Sequence, residues 1–593
     1  MDDVLLVAGP GNPVVADFVT FATRAGGRKV VAVSTAGVCR HVERLAEVYP
    51  VDGISRAGFL ARFEGRPLSG LVLFLGGRLT RKDQAVLDAV AEIAGEKAAR
   101  RVIIVSTFRV HFGDRQAAAA EADALRRFKH LAGRTIVLRS SPVLSPNSRA
   151  AAWLRALWFC YPLLPGSLKG CCIDGDELFA AIERELDRPR PRRGAAYTLL
   201  GPNRPWRTLL RGHGPRGLVR RGLAGVTTLL SLLLVGHVAA ALFKALARRW
   251  RRLRRWSFDT LYPESTRELL ALYNPYNFRH VKIVGYNNGV VHFGHQYPGR
   301  TVVSTVRCNH VARVQGEAAT FDAGVTVRQA VEVLGRAGKE LHVLPNYSYV
   351  SLGTAFFIPI HGSASEYSTL GDTIDRVLLY DPAGDRFLAG TRDGPAFRDN
   401  VYNLDRALLL LRLRLHVKDK ARYYVQRSRL EGPTGHEVMG VFHDGQASNI
   451  EIRKARAADR AVDVRKYYTS PPAGAADALP FPKDNLGRLW DRLEANPVSS
   501  VLFHWVVRRF IYHIELFIPP EEFPVFWETH GALPVSKIQL RYIRRDGLPH
   551  SPFRGHDCIS ADMSMRKKYK PAFDAYLREK FRAVQLNPGK HSV

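Results

Sequence analysis

At 593 residues the chain is long enough for several domains, and an apolar share of 46% against 24% charged excludes a disordered or fibrous protein. Six cysteines (Cys39, Cys160, Cys171, Cys172, Cys308, Cys558) form no CxxC pair and no ligand spacing with histidine, which argues against a disulfide framework and leaves no metal site to expect. The net charge of +32 is concentrated: Arg188–Arg255 holds 16 arginines and Lys244 with no Asp or Glu, and this block brackets an apolar run, which fits a membrane surface better than nucleic acid.

The first residues, MDDVLLVAGPG, read as an acidic start entering a strand and not as a cleavable signal peptide, which needs a basic first region. Through residue 150, buried β-branched runs alternate with amphipathic helices. Strands are expected at 4–9, 30–35, 70–77, 101–107 and 135–143, and helices at 14–25, 81–99 and 115–132. That alternation predicts a parallel, doubly wound α/β sheet. A glycine turn at Gly9 and Gly11, LFLGG, VSTFRVHFG and VLRSSPVLSP follow in order, and over this stretch the chain resembles the extended short-chain dehydrogenase/epimerase fold. The resemblance implies an NAD(P)-binding Rossmann-like domain over 1–187, but a degenerate one. No acidic residue ends the second strand, where Ser34 and Thr35 stand, and the usual Tyr-x-x-x-Lys falls on AAAAE at 117–121. Without that tyrosine and lysine there is no acid or base for hydride transfer, so no dehydrogenase activity is expected there.

Residues 188–256 read as an arginine-rich linker around GLAGVTTLLSLLLVGHVAAALF at 222–243, which carries no formal charge. A helix of that length reaches roughly 33 Å, enough to cross a hydrocarbon core. A single span, an interfacial segment and a buried core helix are all open readings. Arginines on both flanks favour one leaflet face, so the expectation is a membrane-associated helix held by anionic lipid, with both large domains on the cytosolic side.

Residues 257–425 then read as an α+β unit and 426–593 as an α+β cap, the latter with strands at 510–519 and 537–545. In order come Pro263-Glu264-Ser265, the strand HVKIVG, a glycine loop, DAGVTV at 322–327, the proline turn at Leu344-Pro345, Ser351-Leu352-Gly353-Thr354-Ala355 and His361-Gly362-Ser363. Small residues and hydroxyls clustered between strands let backbone N–H groups approach a phosphate or a flat ring.

This order resembles the PCMH-type FAD-binding domain of the vanillyl-alcohol-oxidase family, and the C-terminal part resembles the cap of its alditol and aldonolactone oxidases and of decaprenyl-phosphoryl-ribose oxidase. The resemblance implies FAD as cofactor. It places contacts at Gly285, Tyr286, Asn287, Asn288 and Gly289; at Pro345 and Asn346; at Ser351, Leu352, Gly353, Thr354 and Ala355; and at Ile360, His361, Gly362, Ser363, Ser365, Gly371 and Asp372. Asn288 occupies the position of covalent attachment, implying a non-covalent flavin; a shifted alignment would use His295 instead. Asn403–Leu409 replaces a glycine-bearing closing segment, with Asp405 and Leu408 where glycines are usual.

On the substrate side the candidates are Gln539, Arg541 and Lys567, with Lys568 beside the last. Gln539 stands where a glutamate is usual, and an amide cannot act as a base. The expected function is oxidation of an alcohol carbon of a sugar, polyol, aldonolactone or lipid-linked glycoside by hydride transfer to the flavin, with oxygen, a quinone or a dye as electron acceptor. The alternative is a non-catalytic nucleotide-binding scaffold in an envelope-polysaccharide pathway.

Overall fold

The computed structural model describes residues 4–9, 12–25, 29–34, 42–50, 63, 67–76, 79–97, 99–112, 114–156, 169–188, 195–212, 260–285, 300–364, 366–473, 477–482 and 510–587. The chain divides into two compact units. The first takes residues 1–263, 267–282 and 297–303, and the second takes 264–266, 283–296 and 304–593.

The first unit is built on a seven-stranded, all-parallel sheet. Its order is Ala196–Leu199, Thr135–Ser140, Val102–Thr107, Leu68–Phe74, Val4–Ala8, Lys29–Ser34 and Glu47–Pro50. Strand order reverses beside the first strand, as in a doubly wound fold. Alternation along Val4–Ala8 shows why: Val4, Leu6 and Ala8 join one apolar cluster with the helix Arg81–Glu96, while Leu5 and Val7 join another with Val14–Ala25 and Gly175–Leu186. Both faces are therefore buried, and the strands read as continuous apolar runs. The sheet continues past residue 187, since Ala196–Leu199 pairs with Thr135–Ser140.

The second unit contains two antiparallel sheets. One is ordered Val311–Gln315, Ala318–Asp322, Leu409–Asp419, Ile374–Asp381, Arg386–Thr391, with Lys339–Leu341 pairing the far end of Leu409–Asp419. The helices Val327–Arg336 and Leu352–Phe357 close its core. Thr326 starts the first of these helices with a capping box to Gln329.

The other sheet has eight strands, ordered Asp477–Leu479, Tyr423–Glu431, Ala461–Tyr468, Asn449–Lys454, Val535–Ile543, Cys558–Arg566, Ile511–Ile518, Gln585–Leu586. Ile514, Leu516 and Ile518 face an apolar core closed by the helices Phe523–Thr529 and Lys570–Lys580. The alternate residues His513, Glu515 and Phe517 lie on the opposite face.

The expected location needs correction. Among the described residues no helix is long and apolar enough to cross a membrane, so the membrane-associated placement with cytosolic domains is not upheld. The apolar run 222–243 itself lies outside the described residues.

One buried basic pair gives the second unit a pH signature. His530 Nε2 lies 2.9 Å from Lys454 Nζ inside the cap core. Burial, then the lysine charge, lowers the histidine from 6.5 to about 4. The folded protein thus binds fewer protons here than the unfolded chain between those values. The stability this contributes is complete above about pH 6.5 and is lost as pH falls toward 4. Denaturant midpoints of this unit should fall across that window, and His530→Gln should flatten the slope.

Candidate functional site

The site is assembled in the second unit from loops of the smaller sheet and the polar face of the larger one. Gly285 ends the strand Val281–Val284, and its carbonyl accepts 2.6 Å from Ser304 Oγ. A Cβ at Gly285 would overlap the Ser351 hydroxyl and lie 2.9 Å from Thr354 Oγ1, so only glycine allows this approach. Two segments expected at the cofactor are thereby brought together. Ser351 caps the helix Leu352–Phe357, accepting 3.2 Å from Thr354 N. Leu352, Gly353 and Ala355 are buried behind it.

Pro345 is buried in its turn, and Asn346, exposed beside it, donates 2.8 Å from Nδ2 to Gln539 Oε1. The Ile360 carbonyl accepts 2.7 Å from Leu370 N, just before the chain enters His361. Next, Ser363 O accepts from Ile450 N at 3.4 Å, and Ala364 bridges Asn449, so this loop docks on the strand Asn449–Lys454. Gly371 is buried, and Asp372 is ion-paired with Arg392. Asp372 therefore has a structural partner of its own. Tyr286, Asn287, Asn288, Gly289, His295 and Ser365 lie outside the described residues.

The segment that replaces the usual glycines does not fill the interior. Asp405 is exposed, and Leu408 packs partly buried against the domain core. Before them, Tyr402 takes a left-handed φ of 57° and places its phenol 2.5 Å from Thr369 Oγ1. Burial pushes that phenol well above its ordinary value.

Gln539 and Arg541 are both buried and sit two residues apart on one face of Val535–Ile543. Asp562 is opposite Gln539, and Ser560 is opposite Arg541. Arg453 is the cross-strand neighbour of Gln539 on the other side. The structure does not bring Lys567 to this place. Lys567 and Lys568 are exposed in the turn Lys567–Tyr569, roughly 17 Å along the strand beyond Asp562.

Glu515 is the residue that sequence reasoning missed. It is 1% exposed, and its Oε1 lies 2.7 Å from His361 Nε2, 3.1 Å from Arg541 Nη2 and 2.6 Å from Ser560 Oγ. Its Oε2 accepts 2.6 Å from Asn587 Nδ2. Arg541 Nη2 also donates 3.3 Å to Asp562 Oδ2, and Asp562 in turn pairs with His513. Around the His361 ring, Phe517 and Phe553 stand edge-on at 5.7 and 6.4 Å.

Four buried polar atoms on this sheet face have no partner among the described residues: Gln539 Nε2, Arg541 Nε, Arg453 Nε and Glu451 Oε1. Leaving a buried donor unpaired costs about 1–3 kcal/mol. A bound group rich in acceptors would satisfy Gln539 and Arg541, whose side chains already touch Asn346 and the Glu515–His361 pair. The close approach of Gly285 to Ser351 and Thr354 is the bare-backbone corner that a cofactor phosphate needs, so the residues present fit FAD.

In the first unit, the place of the usual Tyr-x-x-x-Lys holds Ala117 and Glu121, and Glu121 is engaged. Arg139 binds it through Nε at 3.0 Å and Nη2 at 2.6 Å, with both residues largely buried.

Comparison with known proteins agrees with the cofactor. Residues 260–389, under a quarter of the chain, match the family described as FAD binding domain. No curated protein matches the chain. Among solved structures, two of cholesterol oxidase from Brevibacterium sterolicum, one a point mutant, align at 12% and 11% identity. Each alignment covers 56% of this chain and 83% of that one, with TM-scores of 0.39 and 0.40, too low to carry an argument. Residues 260–389 thus belong to an FAD-binding domain, and FAD is the cofactor. An FAD-dependent oxidoreductase is the coarse class that follows.

Proposed function

We propose that the chain oxidises an alcohol carbon of a hydroxyl-rich substrate, a sugar, polyol or aldonolactone, and passes the electrons to oxygen or a quinone. When bound, FAD supplies the hydride acceptor. The observation that carries this reading is the set of unpartnered polar atoms on the sheet face. Two arginine Nε–H groups and one amide N–H offer donors, and Glu451 Oε1 offers an acceptor, all buried. Hydroxyl groups both donate and accept, so a polyol can answer both kinds of atom where a hydrocarbon can answer neither. Arg541 and Gln539 orient the bound molecule, and the apolar rings of Phe517 and Phe553 keep water from the His361 side. Since Gln539 cannot take a proton, the carboxylate with an oxygen left unpartnered among the described residues, Glu451 on the neighbouring strand, is the candidate to accept one.

The test is anaerobic mixing of the FAD-loaded chain with a panel of polyols, aldoses and aldonolactones. Loss of the flavin band at about 450 nm with one of them is the expected result. Bleaching by non-hydroxylated donors alone would contradict the substrate class.

A further inference from the structure

We propose that Glu515 is the positioning residue of this site, a buried carboxylate that sets the direction of Arg541 and holds His361 against the cap sheet. The inference rests on the functional reading above, because it assigns Glu515 a task at the same site. Its basis is the count and kind of partners. Oε1 alone meets an imidazole nitrogen, a guanidinium nitrogen and a hydroxyl, within 2.7, 3.1 and 2.6 Å. A solvated strand carboxylate has no need of such a set. A buried one does, because an unpaired charge in the interior is costly.

The consequence for Arg541 is directional. Its Nη2 is held between Glu515 Oε1 and Asp562 Oδ2, while its Nε is left without a partner among the described residues. The guanidinium is planar and rigid, so fixing one terminal nitrogen fixes the direction of the Nε–H edge. The consequence for His361 is that both ring nitrogens face acceptors: Nε2 meets the Glu515 carboxylate, and Nδ1 lies 3.2 Å from Gly362 O. Glu515 thus ties the loop His361-Gly362-Ser363 to the strand that carries Gln539 and Arg541. The link spans 154 residues of sequence.

Glu515→Gln is the informative substitution, since it removes the charge at constant shape. The new amide group can face Asn587, whose own amide can turn to accept from it. In the full chain loaded with FAD, kcat should fall on the order of 100-fold while KM stays within about twofold. The thermal midpoint should fall, because Arg541 and His361 lose their buried carboxylate, while the folded variant should keep an FAD content close to that of the parent. Combined with Arg541→Met, the substitution should lose clearly less than the sum of the two single losses in kcat, because Glu515 acts in part through that residue. Nuclear magnetic resonance gives a readout apart from activity. The Arg541 Nε–H should be a sharp, exchange-protected signal in the parent and broadened in Glu515→Gln.

Parent-like kcat together with an unchanged Arg541 signal would overturn the proposal, and so would fully additive losses in the double variant. If the parent takes up no FAD, the functional reading fails, while the resonance measurement still decides the role of Glu515.

Discussion

Gly353→Val should lose its FAD and melt earlier than the parent. Gly353 N donates 2.8 Å to Ala323 O, and a Cβ at 353 would stand 2.8 Å from that oxygen and 2.9 Å from Ala323 Cβ. Neither atom is the end of a flexible side chain, so the corner Ser351–Ala355 must move as a whole. Overpacking of this kind costs about 1–3 kcal/mol, and the displaced corner is the one that Gly285 abuts. Gly335→Ala is the control: its Cβ would meet only Lys420 Nζ at 3.9 Å, and alanine in a helix is worth about 0.5–1 kcal/mol over glycine. The check is FAD released per chain, read beside thermal midpoints. Full FAD retention in Gly353→Val would count against the assigned corner.

Arg139→Met should strongly destabilise the first unit. It leaves the Glu121 carboxylate, 4% exposed, without its bidentate partner. Removing one member of a buried ion pair typically costs about 3–5 kcal/mol. The double change Glu121→Leu with Arg139→Met should recover most of that loss, because a buried pair exchanged for apolar groups is often neutral. Urea unfolding of the full chain, followed by a probe in the first unit, separates the outcomes. A single variant as stable as the parent would show the pair to be solvated. The pair also gives the missing Tyr-x-x-x-Lys a physical sequel: where a lysine would act, a glutamate is tied down by an arginine.

Much of this was legible in the sequence, for identifiable reasons. The strands of the first unit are unbroken β-branched runs buried on both faces, such as Val102–Thr107, and helix starts such as Thr80 to Asp83 carry their own capping signal. The FAD-binding segment was legible because glycines and hydroxyls sit where side chains would collide, as at Gly285 against Ser351.

The cap was less so. Residues 426–480 are polar and open to reading either as an insertion or as strands with loops, and the structure settles on strands: Tyr423–Glu431 and Ala461–Tyr468 pair along their length within the eight-stranded sheet. A strand with one polar face looks solvent-exposed until its register and its neighbour are known. Glu515 was hidden the same way: in IYHIELFI it reads as a solvated strand charge, and only the fold brings His361 and Arg541 to it. Lys567 was overvalued for the converse reason. A basic residue after a strand looks near a site, but the strand carries it roughly 17 Å past Asp562.

The most direct measurement of the central claim is the flavin content of the purified full chain after incubation with FAD and removal of the excess. The account predicts a yellow protein with one FAD per chain, and release of that FAD into the supernatant on acid precipitation, as a non-covalent flavin would do. A colourless protein that takes up no FAD would contradict it.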